Sequence, residues 1–282
     1  MSAVYVYKPF KYFFSVIFLT WVIESGMVWM SYNDSAGQGD QEIFSLLVAA
    51  ELFIPCVVAL GMIFLSGSDE LKRDFLSRLF GLRRIKLYYL PIVLFTMPVL
   101  AAVSIYLSTY MGESAEQFNI NKGVIFATGV IPASFFLFIA PVVEELGWKG
   151  YGIDSLRSKY NFFTASMIFG VLWCLWHAPL FLVKDYYMNL LWRAGWLYVL
   201  NYFASVIAAG VLINWLWYKN RGCILVPMLV HASANLQGIF LMGNVAKCIQ
   251  TLLIITIVIS IVLRDKKVFF EKPSGRIGQF SD

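Results

Sequence analysis

Two histidines are the only imidazole groups in this chain of 282 residues, and both lie inside apolar runs. His177 lies in FGVLWCLWHAPLFLV and His231 lies in CILVPMLVHASANLQGIF. A third apolar run ends in two adjacent carboxylates, Glu144 and Glu145. An ionisable group in a hydrocarbon phase is energetically costly, so such groups are functional by default. Two imidazoles and a carboxylate on three separate segments could together activate a water molecule.

The two glutamates are expected to have different roles, because successive residues of an α-helix point about 100° apart. Glu145 and Lys149 are four residues apart and share a helical face, in the favourable order with glutamate first. We therefore predict that Glu145 pairs with Lys149 for structure. This pairing leaves Glu144 free to face a cavity.

The segment around the second histidine also carries an amide. His231 and Asn235 are four residues apart, so the imidazole and the carboxamide lie on one helical face. The run HASANLQG is small and polar, which lets neighbouring helices approach closely and form hydrogen bonds. The alternative interpretation is a helix-packing seam that contains a hydrogen-bonded histidine. Pro141, Pro179 and Pro227 lie within four residues of Glu144, His177 and His231 respectively, a pattern expected of helices that are broken around a hydrated cavity.

The same side chains are also a candidate metal site. Glu144, His177 and His231 form a set of two histidines and one carboxylate, which could hold zinc with an open fourth position. The chain contains no HExxH motif, which is the strongest local signature of such a site. From the residues alone, general-base hydrolysis and zinc-assisted hydrolysis both remain open.

The composition is that of an integral membrane protein. The chain is 60% hydrophobic and 14% charged, whereas soluble domains are roughly 25% charged. Several stretches exceed the ~20 apolar residues that cross a bilayer core. The net charge of +5 then indicates basic cytoplasmic loops in contact with the headgroups of the lipid bilayer, and no nucleic-acid partner.

We predict an all-α, polytopic transmembrane helical bundle of about eight spans with a cytoplasm-facing intramembrane cavity. If the N-terminus is inside, 18 of the 22 Lys and Arg residues fall on the cytoplasmic side, which predicts that both termini are cytoplasmic. In a prokaryote the protein would lie in the plasma membrane. The last break between spans is short, so seven spans remain an alternative. The predicted spans are 10–31, 43–66, 88–110, 123–146, 163–183, 195–218, 223–243 and 246–263.

The chain divides into three predicted regions. Residues 1–122 contain N-terminal spans and a basic cytoplasmic loop, residues 123–264 contain the chemistry, and residues 265–282 form a polar tail that we expect to be disordered. The basic stretch 67–87 is either a helix along the inner membrane interface or a solvated loop. Its apolar residues recur at helical spacing: Leu71, Phe75, Leu79 and Leu82.

Two further carboxylates lie within the first two predicted spans. Glu24 and Glu51 have no partner within their own helical turns. We expect each to be neutralised or paired with a polar group on another helix, and we assign neither to catalysis.

Three blocks of the sequence resemble those of the CPBP family (ABI domain), which comprises type II CAAX prenyl endopeptidases and bacterial relatives involved in bacteriocin maturation or self-immunity. EELGWKG at 144–150 is similar to the two-glutamate motif, FGVLWCLWHAP at 169–179 to the second block, and HASAN at 231–235 to the third. Two positions differ from the usual pattern. Lys149 replaces an arginine, and Trp173 replaces a phenylalanine.

The resemblance implies a glutamate-dependent intramembrane endopeptidase. In the family pattern, Glu144 and His177 would activate the attacking water. His231 and Asn235 would stabilise the tetrahedral oxyanion, for which each donor is commonly worth about 3–4 kcal/mol.

The resemblance also implies supporting residues and a substrate. Glu145 would support the site through Lys149, and Trp173 belongs to the second block. No cofactor is implied, with zinc as the alternative. The substrate would be a membrane-associated peptide or a prenylated protein.

Two other functions remain as alternatives. A proton-coupled transporter could use the same buried groups as a proton relay. A non-proteolytic immunity or scaffold protein could retain the site for binding.

Overall fold

The computed structural model describes residues 5–33, 37–120 and 133–271. In these residues the secondary structure is helical, apart from turns and one isolated antiparallel β-bridge between Ile120 and Phe240. The α-helices are α1 (Pro9–Ser31), α2 (Gln38–Phe64), α3 (Asp69–Leu79), α4 (Leu90–Thr109), α5 (Ala133–Gly147), α6 (Ile153–Arg157), α7 (Phe162–Trp176), α8 (Tyr187–Ala194), α9 (Trp196–Lys219), α10 (Leu225–Leu236), α11 (Asn244–Arg264) and α12 (Lys266–Phe270).

The helical membrane bundle predicted from the sequence is confirmed. Within the described ranges, six helical segments are long and apolar enough to cross a bilayer, and they coincide with the first, second, third, fifth, sixth and eighth predicted spans. They are Pro9–Ser31, Gly39–Phe64, Leu87–Thr109, Phe162–Leu182, Trp196–Lys219 and Asn244–Arg264.

The other two predicted spans differ from this group. The fourth begins among residues that lie outside the described ranges, and only its part from Ala133 onward is seen, as α5. The seventh is shorter than predicted. Helix α10 has 12 residues, about 18 Å at 1.5 Å per residue, and it passes into a 3-10 turn at Gln237–Ile239. A helix of this length reaches only part of the way across a hydrocarbon core of about 30 Å.

Helix α5 lies between α2 and α10 and approaches α2 most closely at Gly147. A Cβ atom on Gly147 would lie 2.4 Å from the carbonyl carbon of Pro55 and 2.5 Å from its oxygen. Tyr12 of α1 donates a hydrogen bond to the same carbonyl at 3.3 Å. The glycine that follows the two glutamates is therefore a contact point where α5 closes against the first two helices.

The chain after α5 forms a widened turn, a π-helix at Trp148–Gly152. Such turns are frequent at functional sites. The guanidinium of Arg78 donates to the carbonyl oxygen of Lys149 at 3.1 Å and to that of Gly150 at 3.4 Å. It also forms an ion pair with Asp154 at 2.7 Å. Arg78 of helix α3 thus holds the carbonyl groups of the widened turn in place through hydrogen bonds.

The basic stretch 67–87 is helical over Asp69–Leu79, which confirms the helical interpretation for this part of it. Leu71 and Phe75 are buried in the protein's main core, as their spacing predicts. Arg78 is also fully buried, which the alternation of basic and apolar residues did not predict. Leu82 lies beyond the helix and is 61% exposed. The location of α3 along the membrane interface stays a prediction.

The end of the bundle that carries Tyr5 and Glu271, the first and last described residues, is rich in basic residues, and we call it the basic end. Tyr5 and Tyr151 form a hydrogen bond there at 2.9 Å. Lys219 and Asp265 form an ion pair at 3.2 Å. Arg84 donates to a backbone carbonyl of the α9–α10 turn at 2.8 Å.

The opposite end, which we call the far end, brings together the remaining turns. The backbone N–H of Gly243 donates to Gln117 at 2.7 Å. The backbone N–H of Lys184 donates to the hydroxyl of Ser31 at 3.0 Å. The Ile120–Phe240 bridge lies at the same end, because Leu241 and Gln117 adjoin it.

The beginning of the C-terminal tail differs from the prediction of disorder. Residues Lys266–Phe270 form helix α12. Phe269 is fully buried, and its ring lies 5.4 Å from that of Phe162. An aromatic contact of this kind gives the segment enough buried apolar surface to order it. Residues 272–282 of the predicted tail lie outside the described ranges.

The close contact between α5 and α2 predicts unequal effects of two glycine substitutions. Gly147→Ala should destabilise the protein by about 1–3 kcal/mol, because its methyl group would overlap the Pro55 backbone. Gly61→Ala is the matched control, since a Cβ at Gly61 of α2 meets no atom within 4 Å. It should be neutral or stabilising by about 0.5–1 kcal/mol. Thermal unfolding of both variants in the same detergent measures the difference, and equal midpoints would contradict the proposed contact.

Candidate active site

Glu145 is the centre of a buried charge network. Its carboxylate is fully buried and lies 3.0 Å from the ammonium of Lys149, which confirms the predicted ion pair. Its other oxygen lies 3.0 Å from Nδ1 of His231 on α10, a contact that the sequence did not predict. One carboxylate thus joins the two-glutamate segment to the segment that carries His231 and Asn235.

The contact with Glu145 fixes which nitrogen of His231 is available for chemistry. A carboxylate accepts hydrogen bonds, so Nδ1 carries the proton and Nε2 remains for another partner. Only the protonated imidazole donates from both nitrogens. If Nε2 of His231 donates to an oxyanion, Glu145 is therefore the counter-ion of the resulting imidazolium.

Glu144 has different surroundings from its neighbour. It is 5% exposed, and the indole nitrogen of Trp148 lies 3.5 Å from its carboxylate. The side chain of Trp173 is close to the same carboxylate, and its indole N–H has no hydrogen-bond partner of standard geometry in the described part of the chain. Unlike Glu145, Glu144 forms no ion pair with a lysine or arginine among the described residues. The predicted division of the two glutamates is consistent with this difference.

Trp173 lies between the two histidines. Its ring centroid is 6.1 Å from that of His177 and 5.5 Å from that of His231, in an edge-on arrangement with the latter. Helix α7 ends at His177, which lies at its C-terminal cap. Nδ1 of His177 lies 2.9 Å from the carbonyl oxygen of Trp173, so Nε2 is the nitrogen left for a substrate or a water molecule.

A cavity of about 760 Å³ adjoins this cluster. Trp173, His177, His231 and Asn235 line it, whereas Glu144 is not among the lining residues. The structure therefore brings three of the four predicted catalytic residues to one cavity wall. Glu144 is buried next to that wall and contacts Trp173.

The cavity extends from the middle of the bundle towards the far end. Its lining includes Met97 at mid-height on α4, and Tyr187, Phe240 and Lys247 near the turns of the far end. The first and last described residues, Tyr5 and Glu271, lie at the basic end. The cavity and these residues thus lie towards opposite ends of the bundle, so a cytoplasm-facing cavity and cytoplasmic chain ends are alternative predictions.

The zinc alternative has no preformed donor cluster in the ranges that the structure describes, where no group of three or more His, Cys, Asp or Glu side chains is arranged to hold a metal ion. Nδ1 of His231 contacts Glu145, and Nδ1 of His177 contacts a backbone carbonyl. A zinc-binding histidine makes the same contacts through the nitrogen that does not bind the metal, so they do not separate the two kinds of hydrolysis. We derive no catalytic step through a metal from this site.

Comparison with known proteins agrees with the geometry. Residues 126–237 match the family described as Type II CAAX prenyl endopeptidase Rce1-like. A curated protein from Methanococcus maripaludis, named CAAX prenyl protease 2, is 36% identical over 273 residues, which is 96% of this chain and 99% of that protein. The chain belongs to the Rce1-like type II CAAX prenyl endopeptidase family. All the candidate residues between Glu144 and Asn235 lie within the matched region.

In this Rce1-like protein a second pair of carboxylates lies beside the site. Glu24 of α1 and Glu51 of α2 are 1% and 2% exposed, and their side chains lie close to each other. Two buried carboxylates in contact repel each other when both are ionised. Each glutamate thus has a polar neighbour on another helix, and the neutralisation of the pair stays a prediction. Glu51 is also close enough to Glu144 for their charges to interact.

Sequence reasoning missed one charged residue of the cavity. Lys247 lines it from the first turn of α11, with its ammonium 4.8 Å from the centre of the Tyr187 ring. The sequence places this residue in a short break between two spans, where a lysine is unremarkable. Only the packing of α11 against α4 and α9 shows that Lys247 lines the same cavity as the histidines.

Substitution of Glu144 and substitution of Glu145 by glutamine should have different effects on the stability of the protein. Glu145→Gln leaves Lys149 and His231 without their counter-ion in a buried location, which should destabilise the protein by about 3–5 kcal/mol. Glu144→Gln is nearly isosteric and breaks no ion pair, so it should change stability by less than about 1 kcal/mol. Thermal or denaturant unfolding of both variants in one detergent tests this. Equal losses would contradict the assignment of the network to Glu145.

Proposed function

We propose that this protein is a glutamate-dependent intramembrane endopeptidase that hydrolyses a peptide bond near the C-terminus of a membrane-associated, prenylated CAAX protein or peptide. Membership of the Rce1-like family supports the reaction and the substrate class. The structural observation that carries the proposal is the position of Trp173, His177 and His231 on one cavity, with the buried carboxylate of Glu144 next to Trp173. The same evidence favours an endopeptidase over a transporter or an immunity protein.

In this mechanism Glu144 is the general base. The attacking water binds between its carboxylate and Nε2 of His177, next to the Trp173 indole. Glu144 takes one proton as the water oxygen attacks the scissile carbonyl carbon. It then returns the proton to the leaving amine as the carbon–nitrogen bond breaks. A carboxylate without an ion-pair partner suits this role, because its oxygens are not already committed to a cation.

The oxyanion is stabilised from α10. Nε2–H of His231 and the carboxamide N–H of Asn235 donate to the negative oxygen of the tetrahedral intermediate, each worth about 3–4 kcal/mol. The His231 ring must be protonated to do this, and Glu145 is its counter-ion. Lys149 and Glu145 form a neutral pair, so the protonated His231 gives the network one positive charge, which balances the charge of the oxyanion.

The mechanism that we propose requires no cofactor. Its chemical steps use one carboxylate, two imidazoles and one amide, all supplied by the chain.

We infer the orientation in the membrane from the basic residues. Most Lys and Arg residues lie at the basic end of the bundle, so we propose that both termini face the cytoplasm, in the plasma membrane if the source is prokaryotic. The cavity then lies in the outer half of the bilayer. A substrate would approach it from that side or laterally from the lipid.

Removing the general base should abolish cleavage without unfolding the protein. Glu144→Gln and His177→Ala should each lower the cleavage rate of a prenylated CAAX peptide by about 10²–10⁴, the usual contribution of general-base catalysis. Glu70→Gln, on the exposed surface of α3, is the matched control and should retain full activity. Retention of cleavage by Glu144→Gln would refute the proposed base.

The same assay includes a chelator control. The wild-type rate should be unchanged after prolonged treatment with EDTA, because no step passes through a metal. A rate that is lost and then restored by added zinc would instead assign the water activation to a metal ion.

A further inference from the structure

Among the described residues that line the cavity, Lys247 is the only one of the four types Lys, Arg, Asp and Glu. Its ammonium lies over the Tyr187 ring and forms no ion pair with a described carboxylate. A cation–π contact positions an ammonium but leaves its charge unneutralised. The side chain therefore presents an unpaired positive charge to a cavity whose other walls are uncharged, apart from the two histidines. An anionic group of the ligand is the natural partner of this charge.

The location of Lys247 relative to the proposed oxyanion donors follows from helix α11. Lys247, Gln250, Thr251 and Ile254 occur at helical spacing and all line the cavity. Ile254 and Ala234, the residue before Asn235, belong to one hydrophobic cluster. Lys247 precedes Ile254 by seven residues, which is about 10 Å along the helix axis. The backbone of Lys247 thus lies about 10 Å further towards the far end than the backbone of Ile254.

A hydrogen bond fixes this spacing between the two helices. Nε2 of Gln250 donates to the side-chain oxygen of Gln237 at 2.5 Å. Gln237 directly follows α10, two residues after Asn235. Helix α11 is therefore tied to the end of α10 between the level of Asn235 and that of Lys247. The offset between Asn235 and the backbone of Lys247 is therefore set by the packing of two helices and not by a flexible loop.

We propose that Lys247 binds the C-terminal α-carboxylate of the substrate and so selects the bond three residues from its C-terminus. This inference rests on the proposed function. Three extended residues span about 10 Å, which matches the offset along the helix between the backbone of Lys247 and that of Ile254, whose cluster includes the neighbour of Asn235. With the scissile carbonyl at His231 and Asn235, the free carboxylate of a three-residue leaving peptide reaches Lys247. Lys247 is thus a specificity-determining residue, while the groups at the other end of the cavity perform hydrolysis.

The test compares two peptides that differ only at the C-terminus. One prenylated CAAX peptide ends in a free carboxylate and the other in a carboxamide. The wild-type protein should cleave the acid with a kcat/KM about 10–100-fold above that of the amide, the effect of one charge-assisted hydrogen bond. Lys247→Met should lower kcat/KM for the acid by a similar factor and leave the amide unchanged. Lys247→Arg should keep most of the preference, and Lys266→Met, on the exposed face of α12, should behave as wild type.

The outcomes separate this inference from the proposed function. If the wild-type protein cleaves both peptides equally well, Lys247 does not recognise the C-terminal carboxylate of the substrate and this inference fails. The assignment as an endopeptidase then still stands. If Lys247→Met lowers the rates for acid and amide by the same factor, its role is structural and the inference is overturned. If the wild-type protein cleaves neither peptide, both the function and the inference fail.

Discussion

The buried carboxylate of Glu145 connects two of the three segments that carry the chemistry. Its oxygens contact Lys149 on its own segment and His231 on α10. An unpaired charge left in this environment would cost about 3–5 kcal/mol, so the three groups keep one relative arrangement. Asn235 follows one turn after His231 and is placed by the same contact. The oxyanion donors are therefore positioned by an ion-pair network rather than by apolar packing alone.

The surrounding helices hold this network in place. Gly147 lets α5 close against α2, and Arg78 ties the carbonyls of the π-helix to α3. The Trp173 ring contacts both imidazoles and also lies close to the carboxylate of Glu144. The usual arginine of the two-glutamate motif is lysine here. An ammonium suffices because it meets one oxygen of Glu145 and leaves the other for His231.

Features with a local signature in the sequence were predictable. Spans follow from hydropathy, and the Glu145–Lys149 pair follows from a spacing of four residues on one helix. The His231–Glu145 contact joins residues 86 positions apart, and no periodicity encodes it. The burial of Arg78 and the entry of Lys247 into the cavity likewise depend on how helices pack. The seventh span was overestimated because apolar residues continue past Leu236 after the helix itself has ended. The roles of the individual catalytic residues stay predictions.

A double-mutant cycle on the cleavage rate tests most directly whether Glu145 acts through His231. The rates of Glu145→Gln, His231→Ala and the double variant are compared with that of the wild type, on fully folded protein. If the carboxylate serves as the counter-ion of His231, the double variant should be no slower than the slower single variant, because the two residues act as a unit. Independent, multiplicative losses would show that the two side chains contribute separately and would contradict this account.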